Sequence, residues 1–330
     1  MRLDKKFISI AIAVFLAGFL FVSCANEPPP PLRVGIVVWT GTESLFLARS
    51  LGYYDNTPIK LLDYPSDSEM MRAYRNGDLE AATITLDEVL QLAETDPDVR
   101  IVTIQDFSNG GDAIVGNSKI KKLQDLKGQR IGVETTASGG FELIRALEQV
   151  GLSPKDVQIV TLLTSEQERA FKEGSIDAVV TFEPTVSKLL STGGNLLWDS
   201  KKIFGEVLDV VAMRETVIVK QSVAARVLTN GWFQALHYLQ KNPQDAARRI
   251  APHSDVTPAE FLKSLKSICI PDVQENQDIL GKRNAISLSL AKRVAKYLLD
   301  KKLLTKAIDP SSIFDDRLVH DIKISTFMKR

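Results

Sequence analysis

Arg33-Val34-Gly35-Ile36-Val37 and Arg130-Ile131-Gly132-Val133 follow one pattern at an offset of 97 residues. Ala73-Tyr74-Arg75-Asn76-Gly77-Asp78-Leu79-Glu80-Ala81 and Ala170-Phe171-Lys172-Glu173-Gly174-Ser175-Ile176-Asp177-Ala178 repeat that same offset of 97. In the longer pair the two alanines and the glycine are identical. The Tyr/Phe, Arg/Lys, Leu/Ile and Glu/Asp exchanges preserve chemistry. Two separate segments sharing one offset mark a duplicated unit. A generic likeness between strand–helix–turn–strand units is the alternative.

Each copy reads as strand, loop, helix, further helix and strand. Leu32 to Trp39 is apolar and β-branched, as expected for a strand covered on both faces. Thr40 and Glu43 have the capping-box spacing, opening a helix that runs to Leu51 and stops at Gly52. Ser66 with Glu69, and Thr85 with Glu88, repeat that spacing. Ala81–Leu86, Ile101–Phe107 and Ala113–Val115 read as extended, and Val210–Val219 as a return strand. The alternation predicts an α/β fold. From Ser222 the pattern turns helical, with Asn242-Pro243 and Thr257-Pro258 as cap-plus-proline starts and Ile286–Leu303 at helical spacing.

The chain has 330 residues, 41 basic and 41 acidic, and 44% hydrophobic. This excludes a disordered chain and a polytopic membrane protein, and the lack of a long basic run argues against nucleic acid as partner. Arg2, Lys5 and Lys6 precede the apolar run Phe7–Val22, an export-signal pattern. Phe21-Val22-Ser23-Cys24 resembles a bacterial lipobox, with Phe21 where Leu is usual. Residues 1–23 are therefore expected to be a lipoprotein signal peptide, with Cys24 lipidated. A retained anchor, or cleavage without lipid, is the alternative. Residues 24–31, ending in Pro28–Pro31, read as an extended tether. Cys269 is then the only other cysteine, so neither an internal disulfide nor a cysteine metal cluster is expected.

Ligands of open α/β sheets bind at the carboxyl edge, on the loops after the strands. Those loops give the candidate ligand-binding residues Trp39, Thr40, Gly41, Thr85, Asp87, Asp106, Ser108, Asn109, Thr135, Thr136, Ser138, Gly139, Phe182 and Glu183. Thr135–Gly140 precedes a predicted helix over Phe141–Val150, whose N-terminal N–H groups suit an anion; ordinary capping by Thr136 or Ser138 is the alternative. The remaining tips are acidic: Asp87, Asp106, Asp112, Glu134 and Glu183. No Lys or Arg lies within them. A small nitrogen-containing solute, amino, zwitterionic or heteroaromatic, would find acceptors there, and Trp39 and Phe182 offer a stacking or cation–π face.

Arg33–Trp39, Phe46-Leu47-Ala48-Arg49, Leu51-Gly52-Tyr53-Tyr54, Arg75–Ala81, Leu126–Val133 and Asp177–Val180 together resemble the solute-binding proteins of ABC importers. The similar group is that for nitrate, sulfonate, taurine and thiamine-type pyrimidines. The resemblance spans about Leu32 to Leu318 and implies a two-lobed periplasmic binding protein type II-like fold with a helical C-terminal region. Residues 32–112 plus 213–330 would form lobe 1 and residues 113–212 lobe 2. The resemblance implies crossovers near Asp112–Val115 and Asp209–Arg214. It also implies delivery of a small solute to a membrane permease and its ATPase, with no chemistry and no cofactor. A sulfonate or nitrate-like anion is the alternative ligand. The expected product is a monomeric carrier, exported and lipid-anchored to the envelope.

His237, His253 and His320 are far apart and follow no Ser or Cys signature; no zinc spacing, P-loop or dinucleotide motif occurs. No catalytic or metal residue is expected. Menaquinone-pathway dehydratases and pyrimidine synthases share the two-lobed fold, so an enzyme is a second reading. A sensor module is a third.

Overall fold

The computed structural model describes residues 30–281 and 285–323. The expected signal peptide, Cys24 and most of the proline tether lie outside them. Leu32–Arg330 forms a unit distinct from Met1–Pro31.

The first repeat unfolds as β1 (Leu32–Ile36), α1 (Glu43–Ser50), β2 (Ile59–Asp63), α2 (Asp67–Asn76), β3 (Ala81–Thr85), α3 (Leu86–Ala93) and β4 (Val99–Ser108). Then come β5 (Asp112–Gly116), β6 (Arg130–Val133), α4 (Ser138–Glu148), β7 (Gln158–Thr161), α5 (Thr164–Lys172), β8 (Ala178–Phe182), α6 (Thr185–Ser191) and β9 (Asn195–Asp199). The chain returns through β10 (Leu208–Arg214). It ends in α7 (Glu215–Lys220), α8 (Ser222–Lys241), α9 (Pro243–Ile250), α10 (Pro258–Ser264), β11 (Ile268–Cys269), α11 (Val273–Leu280) and α12 (Ala285–Asp300).

Two sheets result, ordered β11-β4-β10-β3-β1-β2 and β7-β6-β8-β5-β9. The repeat is visible in their register. Val34 pairs with Ala81 in the first sheet and Ile131 with Ala178 in the second, both in parallel ladders, and each residue sits 97 positions from its counterpart. The side chains repeat too. Arg33 Nε donates to Glu80 Oε2 at 2.9 Å and its Nη2 to the Gly77 carbonyl at 2.9 Å. Arg130 Nε donates to Asp177 Oδ2 at 2.9 Å and its Nη2 to the Gly174 carbonyl at 2.8 Å. Gly77 and Gly174 have φ of 81° and 73°, a left-handed turn that favours glycine. Each arginine thus fastens a strand start to the turn that delivers its parallel neighbour.

Local signals decide most boundaries. Ser66 Oγ accepts from the Glu69 N–H at 3.3 Å, so α2 starts where its capping box predicts. Thr257 and Glu260 form the box that opens α10, and Pro243 starts α9. The Thr40–Glu43 box is a correction. Thr42 is the residue before α1 and turns its hydroxyl to the Trp39 carbonyl at 2.9 Å. The buried Glu43 carboxylate instead accepts from Ser254 Oγ at 2.6 Å and bonds His253 Nδ1 at 2.9 Å. A distant loop supplies better partners than the local turn. The helix expected at Phe141 starts at Ser138, and the return strand ends at Arg214, where α7 takes over.

The passages between sheets differ slightly from expectation. The chain leaves β4 at Asn109–Gly111, and β5, including Asp112, pairs within the second sheet. On return, all of β10 from Leu208 pairs within the first sheet, antiparallel to β3 and β4. β4, β5 and β10 are largely buried, and the amino ends of β5 and β10 lie beside the carboxyl ends of β8 and β3, at the rims where the two sheets meet.

Candidate functional site

Two small cavities lie at the meeting of the rims. The first, about 30 Å³, is lined by Trp39, Thr85, Glu88, Asp112 and Asp209, among others. The second, about 10 Å³, is lined by Glu134, Gly139, Glu142, Gln167 and Thr181, among others. Asp67, Ser138 and Phe182 line both, so one wall separates them. Neither lining includes Lys, Arg or His.

The aromatic floor is fixed by β4. Trp39 Nε1 donates to Asp106 Oδ2 at 3.0 Å, and its ring meets Phe182 edge-to-face with centroids 5.6 Å apart. Phe182 ends β8 in the second sheet, so the pair spans the rims. Gly41 is required beneath it. A Cβ there would stand 1.7 Å from Asp106 Oδ2 and 2.6 Å from Trp39 Nε1. Gly41→Ala is therefore expected to break the Trp39–Asp106 bond and weaken ligand binding at least about 10-fold, roughly the worth of a hydrogen bond to a charged group. Unchanged affinity in calorimetry would remove Trp39 from the site.

The carboxyls are held in three ways. Two cap helices across the rims. Glu134, which follows β6, accepts from Ser68 N–H at 2.8 Å, from the Ser68 hydroxyl, and from Thr164 Oγ1 at 2.7 Å. Glu88 on α3 accepts from Thr85 N–H at 2.9 Å and Ser138 N–H at 3.3 Å. The first turns of α2 and α4 thus both face a carboxyl group that belongs to the chain. That arrangement occupies the positions an anionic ligand would use.

Others are paired with each other. Asp106 lies against Asp209, and Asp112 against Glu142; two touching carboxyls keep one proton between them. Burial pushes Asp106 up to about 7 and Asp112 up to about 6, while Asp209 and Glu142 rise well above the usual carboxylate range. Burial also raises Glu88 to about 8 and, against the Thr85 hydroxyl bond of 2.6 Å, Asp87 to about 6. Asp67 is raised well above its ordinary value by burial and by Glu88 and Glu134 beside it.

A third set of polar atoms has no donor. Asp87 Oδ2, Gln167 Oε1 and Thr181 Oγ1 are buried without a hydrogen-bond partner among the described residues. Donors are meanwhile committed: Thr42, Thr83, Thr85 and Thr164 hydroxyls all give to chain acceptors.

Of the residues expected from sequence, Trp39, Thr85, Ser138, Gly139 and Phe182 line the cavities. Gly41, Asp87 and Asp106 stand directly behind that lining. Thr40 gives its hydroxyl to Ser264 at 3.0 Å. Ser108 bonds Ser200 at 2.7 Å and accepts from Asp112 N–H, a role in the passage between sheets. Asn109 is tied to the Ser267 carbonyl. Thr135 and Thr136 lie outside the lining, Thr136 exposed. Glu183 accepts from Ser187 and caps α6. Sequence reasoning missed Asp67, Glu142, Gln167 and Asp209. The first follows a capping serine and the next two lie one helical turn inside α4 and α5, but only the tertiary placement shows which face meets the rims.

A larger cavity, about 670 Å³, opens near Arg100, Glu215, Phe314 and Arg317. Its charges satisfy one another through Arg100–Glu215 and Arg317–Asp315 pairs, so it holds no unmet polar group.

Two repeated sheet units whose strand ends meet over buried cavities define a periplasmic-binding-protein fold. The chain belongs to the NMT1-like family, whose pattern matches residues 25–253. It is 26% identical to the putative aliphatic sulfonates-binding protein of Escherichia coli over 58% of this chain and 61% of that protein. It is 24% identical to the taurine-binding periplasmic protein of the same organism, over 54% and 57%. The chain thus spans about three fifths of each of these relatives. The alkanesulfonate-binding protein SsuA of Xanthomonas axonopodis, bound to MOPS, superposes with a TM-score of 0.72 at 20% identity. It covers 87% of this chain and 99% of that one, a likeness of fold.

Proposed function

We propose that this protein is the solute-binding component of an ABC importer. It captures a small nitrogen-containing cation between two lobes and delivers it unchanged to a permease. The lobes are those built on the two sheets, the expected bounds 32–112 plus 213–330 and 113–212 shifting so that Asp112 joins the second lobe and Leu208–Ala212 the first. Cys24 carries the lipid that holds the exported protein at the membrane. Its partners are the solute, the permease and, through it, an ATPase; no nucleic acid is involved.

One observation carries the ligand class. The rims present Asp67, Glu88, Asp112, Glu134, Glu142 and Asp209, and no cationic side chain lines either cavity. An ammonium has donors and no acceptor, which complements acceptors lacking donors. The helix N-termini that would hold a sulfonate are already capped by Glu88 and Glu134. The sulfonate reading stays as the second, because two relatives carry names of that kind.

Thermal-shift and calorimetric titration with aliphatic amines, aminopyrimidines, taurine and nitrate tests the reading. Amines should raise the unfolding temperature by mass action and be recovered unchanged. Binding of taurine or nitrate alone would overturn the cationic ligand. Conversion of a bound amine would overturn the carrier role.

A further inference from the structure

His253 stands apart from the two rim cavities, yet its ring bridges two acidic groups of the first sheet's side. Nδ1 lies 2.9 Å from Glu43 Oε1, and Nε2 lies 3.0 Å from Asp63 Oδ1. A neutral imidazole has one N–H and one bare nitrogen, so it donates to only one carboxylate. Satisfying both takes a proton on each nitrogen, an imidazolium. The other charges around it are already engaged. Arg49 of α1 lies over the Phe46 ring, on which His253 stacks. Arg248 and Arg249 of α9 pair with Asp245, and Glu260 of α10 accepts from Thr257.

The segment that carries His253 touches the wall of the site and the opposite half. Glu43, which also accepts from Ser254 Oγ at 2.6 Å, directly follows Thr42 of the first cavity's lining. Thr40, in the same turn, gives its hydroxyl to Ser264. Asp255 has φ of 50°, a left-handed backbone that surrounding contacts must hold in a residue other than glycine. Its carboxylate meets Lys188 Nζ of α6, on the second sheet's side, at 3.2 Å. Lys188 also attracts Glu260, and Lys263 attracts Glu183, so opposite charges alternate along this contact.

Resting on the two-lobed carrier reading above, we propose that His253 is a positioning residue for closure. As an imidazolium it pins residues 251–264 to the first lobe, and that segment latches the second lobe through Asp255 and Lys188. Deprotonation leaves the buried Glu43 its N–H and releases the exposed Asp63, so the segment loses its hold on β2. Burial lowers the His253 pKa, but the bonds to Glu43 and Asp63 outweigh that and raise it. The latch is therefore complete below the ordinary 6.5 and is lost as pH climbs through a value above it.

The test is small-angle scattering of the ligand-free protein from about pH 6 to about pH 9, beside NMR titration of the His253 ring. The parent's closed-to-open ratio should fall about 3-fold more over this range than that of His253→Arg, the scale of one exposed ion pair. His253→Arg keeps a permanent charge with donors for both carboxylates. His253→Gln should already be expanded at the acid end, and Asp255→Asn equally so. The two together should expand no further, because they break one latch in series. Should His253→Gln not fold, Lys188→Gln, which changes only the second lobe, is expected to expand as Asp255→Asn does. An imidazole that titrates at or below the ordinary 6.5 would overturn the cation. An equal pH response in the parent, His253→Arg and His253→Gln would overturn the positioning role. Asp255→Asn and Lys188→Gln as compact as the parent, while Glu134→Ala expands, would overturn the latch and leave the two-lobed carrier standing. No expansion in any of these, Glu134→Ala included, would overturn both.

Discussion

Ligand-free protein is expected to lose at least about 10 °C of apparent Tm as pH rises from about 5 to about 9, at roughly 2 °C per kcal/mol for a chain of this size. The sign follows from the raised carboxyls. Unfolded, Asp and Glu titrate at their ordinary values of 3.8 and 4.5. Folded, Asp87 and Asp112 titrate near 6, Asp106 near 7 and Glu88 near 8. The native state therefore holds protons that the unfolded chain has released. Stability from these groups is complete below the unfolded values and is lost as pH climbs through 6 to 8. Glu88 by itself, near 8 against 4.5, is worth on the order of 5 kcal/mol at alkaline pH. His253 works in the same direction. Burial lowers its pKa, but bonds to Glu43 and Asp63 outweigh that and raise it, so its share also fades as pH rises. A cationic ligand separates the two. It replaces the shared protons of the rim carboxyls and leaves His253 untouched. Differential scanning calorimetry with an amine should show stabilisation that grows with pH and offsets most of the loss. A ligand-free Tm that is flat or rising across this range would show that the rim carboxyls are ionised and solvated.

The duplicated frame was legible because its marks are local. Gly77 and Gly174 need left-handed turns, Arg33 and Arg130 pair with carboxylates 47 residues on, and the identical offset carries through to the ladder register. The apolar strands and most caps are likewise decided within a few residues. The site was legible only at its loops. Trp39 and Phe182 stood at strand ends, and the acidic tips without basic neighbours pointed to acceptors. Asp67 and Glu142 looked like helix surface, because which face of α2 and α4 is buried depends on the opposite half. Glu88 looked like an ordinary cap. It does cap α3, yet its second oxygen crosses to Ser138 N–H, a partner 50 residues away. Ser108 and Asn109 lie outside the cavity lining for the converse reason. Their polar groups serve the passage between sheets, where an unpaired backbone would be costly.

Those crossing glutamates lead to the second large effect. Glu134, from the second-sheet side, binds the start of α2, and Glu88, from the first-sheet side, binds the start of α4. Glu134 meets the first turn of α2, where charge-assisted bonds to N–H groups are strong, and Glu88, which keeps its proton up to about 8, accepts from the first turn of α4 as a neutral carboxyl. The two links run in opposite directions, so parting the rims breaks both. Glu134→Ala removes the acceptor for Ser68 N–H, Ser68 hydroxyl and Thr164 hydroxyl together. At about 1.5–3 kcal/mol for each charged hydrogen bond, and with water recovering part of that on opening, the closed-to-open ratio should fall at least about 10-fold. Small-angle scattering of the ligand-free variant should show a larger radius of gyration than the parent. Saturating amine should bring it back, since the ligand binds only where both rims contribute. The helices themselves should persist, because α2 keeps its Ser66 cap. Affinity should drop by the same factor as the closed population, because binding must now supply closure that the parent already has. A radius of gyration equal to the parent's, with unaltered affinity, would mean that Glu134 only caps α2 and that the rims are held together by their apolar contacts, Trp39 against Phe182 first among them.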